Sequence, residues 1–243
     1  MHDDGIFDER VAATYDDDGP MFAPDAIDPA VDLLVRLADG GPALEFAIGT
    51  GRIGLPLAAR GVPVHGIDLS NAMVERLRAK RGGRDIPVTI GDIASTRIAG
   101  SFSLVYLVYN TIMNLTTQEA QVACFHNAAA HLRPGGRFLI EVGIPDLRRL
   151  PPGETTRVFE ASEGSWGFDE YDVANQRLTS HHLDIVGGGL ERFSTPARYA
   201  WPAEYDLMAR LAGMTLLDRW GGWREEPFTD DSRIHVSVWQ KPG

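Results

Sequence analysis

A chain of 243 residues with 44% hydrophobic and 23% charged residues has the make-up of one folded α/β domain with an elaboration, which excludes a disordered or membrane-resident protein. A net charge of −11 repels polyanions, so neither nucleic acid nor an anionic membrane surface is an expected partner. No apolar run nears the roughly 20 residues that cross a bilayer, and the acidic start Met1-His2-Asp3-Asp4 is unlike a secretion signal, so the cytoplasm is the expected location.

Residues 1–26 carry no strong period. Phe7, Tyr15, Met21 and Phe22 are nonetheless spaced through their acidic sequence, as in a segment that lies over something else. Asp28-Pro29 reads as an N-cap followed by a proline in the first helical turn, and this helix, with Leu33, Leu34 and Leu37 inward, ends at Gly40-Gly41. A strand over 43–47 breaks into a glycine loop and a helix over 53–60, then a second strand over 62–67. Ser70 caps the next helix, which turns Met73, Val74 and Leu77 inward. Arg76, Arg78, Lys80, Arg81 and Arg84 on and after it read as a solvated face.

Residues 86–90 form a short third strand, and 103–109 a fourth that is apolar enough to be buried on both faces. Thr116-Thr117-Gln118-Glu119 is a capping box opening a helix that reaches Leu132, and its single cysteine, Cys124, reads as a small buried apolar residue. Arg133-Pro134-Gly135-Gly136 then turns the chain into strand five, over 137–142. Such alternation predicts a Rossmann-like, doubly wound parallel sheet with helices on both sides.

Between about 155 and 201 the alternation gives way to strand-like runs at 157–160, 167–174, 178–186, 190–193 and 197–201, punctuated at Asn175-Gln176 and Gly187-Gly188-Gly189. These read as antiparallel hairpins. Pro202 opens a last helix, and strands over 215–220 and 235–240 close the chain. A single domain over 1–243 is expected: a lid over 1–26, a cofactor-binding core over 27–150, a β insertion over 151–201, and a closing helix and strands over 202–243.

The chemistry gathers around the first loop. Gly49, Gly51 and Gly54 let backbone approach a nucleotide-like ligand, and they also satisfy the dinucleotide fingerprint G-x-G-x-x-G. Asp68, about 20 residues further on at the end of strand two, can accept hydrogen bonds from the ribose hydroxyls of an adenosine, a moiety shared by NAD and S-adenosylmethionine. Glu45 beside the loop suits a ligand carrying an ammonium and a sulfonium and repels a pyrophosphate. Gly91-Asp92-Ile93 follows strand three, where a carboxylate and an adjacent N–H can read an adenine edge.

Glu45-x-x-x-Gly49-Thr50-Gly51, His65-Gly66-Ile67-Asp68-Leu69-Ser70, Gly91-Asp92 and Leu132-Arg133-Pro134-Gly135-Gly136, in this order, resemble the successive motifs of the class I S-adenosylmethionine-dependent methyltransferases. The resemblance covers about residues 40–143 and the closing strands. It implies a seven-stranded sheet whose last strand is antiparallel and inserted beside strand five. It also implies S-adenosylmethionine as cofactor, with Gly49 and Gly51 against its methionine part, Asp68 on the ribose, Met73 or Leu69 against the adenine, and Asp92 with Ile93 on the amino edge. Ala47 departs from the family, which usually has glycine there, and puts the fine geometry of the loop in question.

In an open parallel sheet ligands sit beyond the carboxyl ends of the strands. That points to Tyr109, Asn110, Thr111 and Asn114 after strand four, and to residues 141–144 after strand five, as the side facing a small-molecule acceptor. Tyr15 resembles the amino-terminal tyrosine with which small-molecule members of the family cover the cofactor. Asn110 can hydrogen-bond to an acceptor, and His181 or His182 supplies the type of a general base, though neighbours on a strand face opposite ways. Trp166, Phe168, Tyr171, Tyr199 and Trp201 of the insertion are expected to wall the acceptor cavity, or else to pack in a core or against a second subunit of a homodimer. No residue spacing suggests a metal site. The expected reaction is methyl transfer to an oxygen or nitrogen of a small molecule. A nicotinamide-dependent oxidoreductase and a non-catalytic S-adenosylmethionine-binding protein remain as alternatives.

Overall fold

In the computed structural model residues 6–17 and 19–243 are described, so the acidic start at residues 1–4 lies outside the described residues. In chain order the elements are α1 (Glu9–Thr14), α2 (Pro24–Ala38), β1 (Ala43–Phe46), α3 (Gly54–Ala59), β2 (Val64–Asp68), α4 (Asn71–Ala79), β3 (Val88–Ile90), β4 (Phe102–Leu107), α5 (Gln118–His131) and β5 (Leu132–Gly143). There follow β6 (Thr156–Ser162), β7 (Ser165–Asp172), β8 (Arg177–Val186), β9 (Gly189–Arg198), α6 (Pro202–Leu211), β10 (Thr215–Trp220) and β11 (Ile234–Gln240). The main sheet runs β10-β11-β5-β4-β1-β2-β3, and β11 lies antiparallel to both its neighbours. A second sheet, β6-β7-β8-β9, is antiparallel throughout. This is the doubly wound, seven-stranded α/β architecture with a hairpin insertion after strand five.

Apolar layers cover both faces of the main sheet. One gathers α2 and α3 over β1, β2 and β4 around Leu34, Leu57 and Tyr106; the other gathers α5 and α6 around Phe125, Phe138 and Trp239. Every residue of β4 is buried, as its unbroken apolar run predicts. The hydrophobic cluster of the second sheet is small, with Tyr171, Leu178, Ala197 and Tyr199 buried and packed on Met113, Leu147 and Leu150. At about 1.5–3 kcal/mol for each large side chain buried, the insertion contributes far less to stability than the core beneath it.

Several boundaries move. Helix α2 begins at Pro24, not after Asp28; Ala23 is its N-cap, and Pro29 lies inside it. Thr117 caps α5 by accepting from Ala120 N (3.1 Å), which puts Glu119 one position too early to close a capping box. The 133–136 turn lies within β5, because Leu132 already pairs with Phe102 and Arg137 with Leu104, so the intervening residues bulge toward the chain end, where Gly135 N donates to Lys241 O (3.0 Å). The runs at 190–193 and 197–201 join in one edge strand, β9, where Pro196 is tolerated because the strand has a neighbour on one side only. Gly187 and Gly188, both at positive φ, form the two-residue turn of the β8–β9 hairpin.

Candidate active site

Strand β1 lies between β2 and β4, and the chain leaves it in one direction while β4 continues in the other, which opens a crevice beyond their carboxyl ends. A cavity of about 310 Å³ fills it. Its floor comes from Ala47 and Gly49 after β1, Asp68 and Leu69 at the end of β2, and Asp92 and Ile93 after β3; Thr111 and Asn114 form a wall, and Phe7 and Tyr15 of the amino-terminal segment cover it. A side chamber of about 40 Å³ shares Tyr15, Ala47, Gly49 and Thr111 and extends to Glu45, Arg52 and Tyr109.

The loop after β1 is shaped by positive φ. Ala47 has φ +54°, so the family's usual glycine corresponds to a left-handed position that alanine occupies at a cost. Gly49 has φ +57°, and a Cβ there would approach Met73 Cε at 3.5 Å, so its bare backbone opens on the cavity. Asp68, 6% exposed, accepts from Gly49 N (2.6 Å) and from Ser70 N (2.8 Å), and thereby fixes the loop after β1 against the start of α4. Asp92 accepts from Ala94 N (2.7 Å), which orients its carboxylate at the end of β3.

Glu45 is buried at the base of the side chamber, where it accepts from the Tyr106 hydroxyl (2.9 Å). Burial pushes its carboxyl up to about 8, against the pull of the Tyr106 hydrogen bond and the Arg52 charge. Gly54 makes room for it, since a Cβ there would stand 2.6 Å from Glu45 Oε2. Tyr109 and Asn110 are both left-handed, at φ +59°. Three hydrogen bonds hold this turn against β5: Tyr109 N donates to the Glu141 carboxylate, Asn110 N to Glu141 O, and Gly143 N to Asn110 Oδ1. Glu141 is itself raised by burial. Its carboxylate and the Asn110 side-chain oxygen are therefore engaged in holding the cavity wall.

The amino-terminal segment is tied down along its length. Ser70 Oγ donates to Phe7 O (2.6 Å), Arg76 to Ala13 O (2.6 Å) and Arg52 to Met21 O (3.3 Å). The Asp16 carboxylate accepts from Thr50 Oγ1 (2.7 Å) and pairs with Lys80 Nζ (2.9 Å), which also donates to Thr50 O (2.8 Å). Arg76 and Lys80 are thus lid contacts and not merely a solvated face. Tyr15 sits edge-on between Phe7 and Phe22, and burial pushes its hydroxyl up to about 12 against the pull of Arg52.

The structure brings together Tyr15, Glu45, Ala47, Gly49, Asp68, Leu69, Met73, Asp92, Ile93 and Tyr109 around the two chambers. Gly51 and Gly91 line neither, and packing explains both: a Cβ would meet Leu77 Cδ1 at 2.4 Å and Thr96 Oγ1 at 2.1 Å, respectively. His182 lies on β8 between the rings of Phe159 and Phe193, and His181 pairs with Ser194 and Phe168; neither reaches the chambers. The insertion's aromatic residues do not line them either. Tyr171 and Tyr199 pack in the small core of the second sheet, while Trp166 and Trp201 are about two-fifths exposed. Phe7 covers the cavity, in keeping with its place in a segment expected to lie over something else, whereas Ser70 was read only as a helix cap and the latch of Asp16 with Lys80 was missed; the acidic run after Tyr15 was the one local hint of the latch.

A family model described as a methyltransferase domain matches residues 43–136. The solved structure of the CcbJ methyltransferase from Streptomyces caelestis superposes with a TM-score of 0.85 at 32% identity, covering all of both chains. A putative methyltransferase, YqeM of Bacillus subtilis, is 31% identical over 74% of this chain and 76% of its own. The cypemycin N-terminal methyltransferase of a Streptomyces species is 29% identical over 99% of this chain and all of its own length. The chain belongs to the S-adenosylmethionine-dependent methyltransferases. That membership decides between the two adenosine cofactors left open by the glycine loop, and this methyltransferase takes its methyl group from S-adenosylmethionine. No helix among the described residues is long and apolar enough to cross a membrane.

Proposed function

We propose that this methyltransferase methylates an amine nitrogen of a small organic acceptor. The observation that carries the reading is the titratable content of the 310 Å³ cavity: among the described residues Tyr15, Asp68 and Asp92 line it, and no described histidine, lysine or cysteine does. Tyr15, pushed up to about 12, keeps its proton at neutral pH, and Asp68 is committed to two backbone N–H groups. An alcohol acceptor gains from a general base near neutrality. A neutral amine brings its own lone pair and needs only to be placed. The relative acting on the amino terminus of cypemycin, similar over its whole length, agrees with nitrogen as the acceptor atom.

The residues present fit the donor. Gly49 gives a backbone floor, Met73 and Leu69 an apolar contact for a purine, Asp68 an acceptor for ribose hydroxyls, Asp92 with the Ile93 N–H a partner for the adenine edge, and Glu45 a carboxylate for a cationic amino group. When bound, S-adenosylmethionine supplies a methyl group on a sulfonium, open to displacement. The chain's part is to orient and to exclude water. Phe7 and Tyr15 close the cavity from above, Thr111 and Asn114 border the acceptor side, and Glu141 with Asn110 holds that wall in its strained turn. A net charge of −11 keeps nucleic acid out of the reading.

Transfer of a labelled methyl group into matched panels of amines and alcohols tests the proposal. Amines should be labelled, with kcat/KM rising with pH until the acceptor amine is deprotonated. Labelling confined to alcohols would overturn it.

A further inference from the structure

Outside the cavity, at the carboxyl end of β5, lies a recess of about 410 Å³ whose lining includes Arg148, Arg149, Arg157 and Arg233. Three separate segments bring these arginines together: the connection after β5, the first strand of the insertion, and the loop between β10 and β11. Because β11 runs antiparallel to β5, with Ile234 opposite Gly143, that loop rises at the same end of the main sheet as the crevice. Ile144 N donates to Arg233 O (2.8 Å), and the adjoining Gly143 N donates to Asn110 Oδ1 (2.6 Å), so the recess abuts the turn that carries Thr111 and Asn114.

The guanidinium charges are not spent within the fold. Asp146 pairs with Arg157 (2.9 Å) and Arg149 (3.6 Å), one carboxylate between two cations. Arg148 donates to Asp230 O (2.9 Å), a neutral acceptor, and the Arg233 side chain has no hydrogen-bond or ion-pair partner among the described residues. Asp230 and Asp231 are exposed and form no ion pair with any of the four among the described residues. The lining holds four arginines against three aspartates, whereas over the chain 34 acidic residues outweigh 23 basic ones. The recess is thus a local reversal of the protein's field.

We propose that this recess binds an oxyanion of the acceptor, a carboxylate or a phosphate, and that the acceptor is an amine carrying such a group. The proposal rests on the reading of the acceptor as an amine and narrows it. Guanidiniums offer planar donor forks that match either oxyanion. The 310 Å³ cavity, with Asp68 and Asp92 in its lining, repels that same group. A molecule with nitrogen at one end and an oxyanion at the other is oriented by both: the amine toward the methyl donor, the oxyanion toward the arginines. Asp146 holds two of the four forks in place before any ligand arrives, which lowers the cost of ordering them on binding.

Calorimetry on the full chain loaded with S-adenosylhomocysteine, with pyrophosphate and succinate as probes, tests the recess. At least one probe should bind with a Kd of about 1 mM or tighter, and the stronger of the two tells phosphate from carboxylate. Arg233→Met removes a side chain that holds nothing in the fold. It and Arg148→Met should each weaken the better probe by about tenfold, the size of one charge-assisted hydrogen bond, with S-adenosylhomocysteine bound within about twofold as in the wild type. No binding of either probe at about 10 mM, or binding that neither variant changes, would overturn the proposal. In methyl transfer, amines bearing the preferred group should exceed neutral analogues in kcat/KM by about tenfold or more, a preference that Arg233→Met should diminish. Equal kcat/KM for the two kinds of amine would overturn the recess as an acceptor subsite. Labelling confined to alcohols would overturn the amine and leave the recess, which the probes judge alone.

Discussion

At the scale of single residues the glycine loop was legible because its chemistry is local: strand, glycines and a following carboxylate announce themselves within about 25 positions. Ala47 shows how far that goes. The departure from glycine was visible in the sequence, but only the φ of +54° explains it. Ala47→Gly should raise stability by about 1 kcal/mol in urea unfolding, the relief of the left-handed alanine less the freedom gained by the unfolded chain. Glu45 carries a prediction in pH. With its carboxyl raised to about 8 from the ordinary 4.5, the folded protein holds a proton between those values that the unfolded chain has lost. Its contribution to stability therefore declines as pH rises through that window. A cationic amino group favours the charged form, so cofactor binding at pH 7 should release up to about one proton. Calorimetry in two buffers of different ionisation enthalpy reads the release directly, and Glu45→Gln should abolish it.

Elements were legible where one periodicity ruled and were missed where distant partners decided. The hairpins of the insertion followed from their alternation and turn residues, yet nothing local says where they dock. Arg198, 5% exposed at the end of β9, settles that: it donates to Gln121 Oε1 (2.6 Å) and Glu204 Oε1 (2.6 Å), while Gln121 Nε2 donates to Ile112 O (3.1 Å) beside the cavity wall. Burial alone would raise Glu204, but hydrogen bonds from Gln176, Arg198 and Gln118 bring it below its usual value. That contribution is fully present above the unfolded value and fades as pH falls below it. Arg198→Met removes the cation from Glu204, which keeps its bonds from Gln176 and Gln118, and leaves the buried Gln121 Oε1 without its donor, so it should cost about 2 kcal/mol in chemical denaturation. Because Ile112 lies in the turn that carries Thr111 and Asn114, the same variant should weaken acceptor binding more than cofactor binding. Equal weakening would place the network outside acceptor positioning.

For the whole molecule, the doubly wound parallel core followed from the alternation of elements and the crevice from the carboxyl ends of its strands, whereas the antiparallel last strand inserted beside strand five followed from the resemblance to the family. The roles of the histidines and aromatic residues of the insertion did not, because they depend on which face of the second sheet meets the core. The amino-terminal segment shows the same division: its spaced aromatic residues suggested a cover, but the cover is fastened by contacts 30 or more positions away, such as Thr50 to Asp16 and Lys80 to Asp16. Its weight in folding is small. Ala12 is the one buried apolar residue of α1, and a partly exposed pair such as Asp16 with Lys80 contributes about 1 kcal/mol at most. Its weight in the site is large, since Phe7 and Tyr15 are the roof and Arg52, Thr50 and Ser70 all bond to the segment. Deleting residues 1–22 should therefore leave a cooperative unfolding transition only a few kcal/mol less stable by the count of hydrogen bonds lost, while turnover falls by about 100-fold or more through lost positioning and water exclusion. Urea unfolding and methyl-transfer rates on the same preparation separate the two. A truncated chain that fails to fold would make the segment part of the core, and one that turns over normally would remove it from the active site.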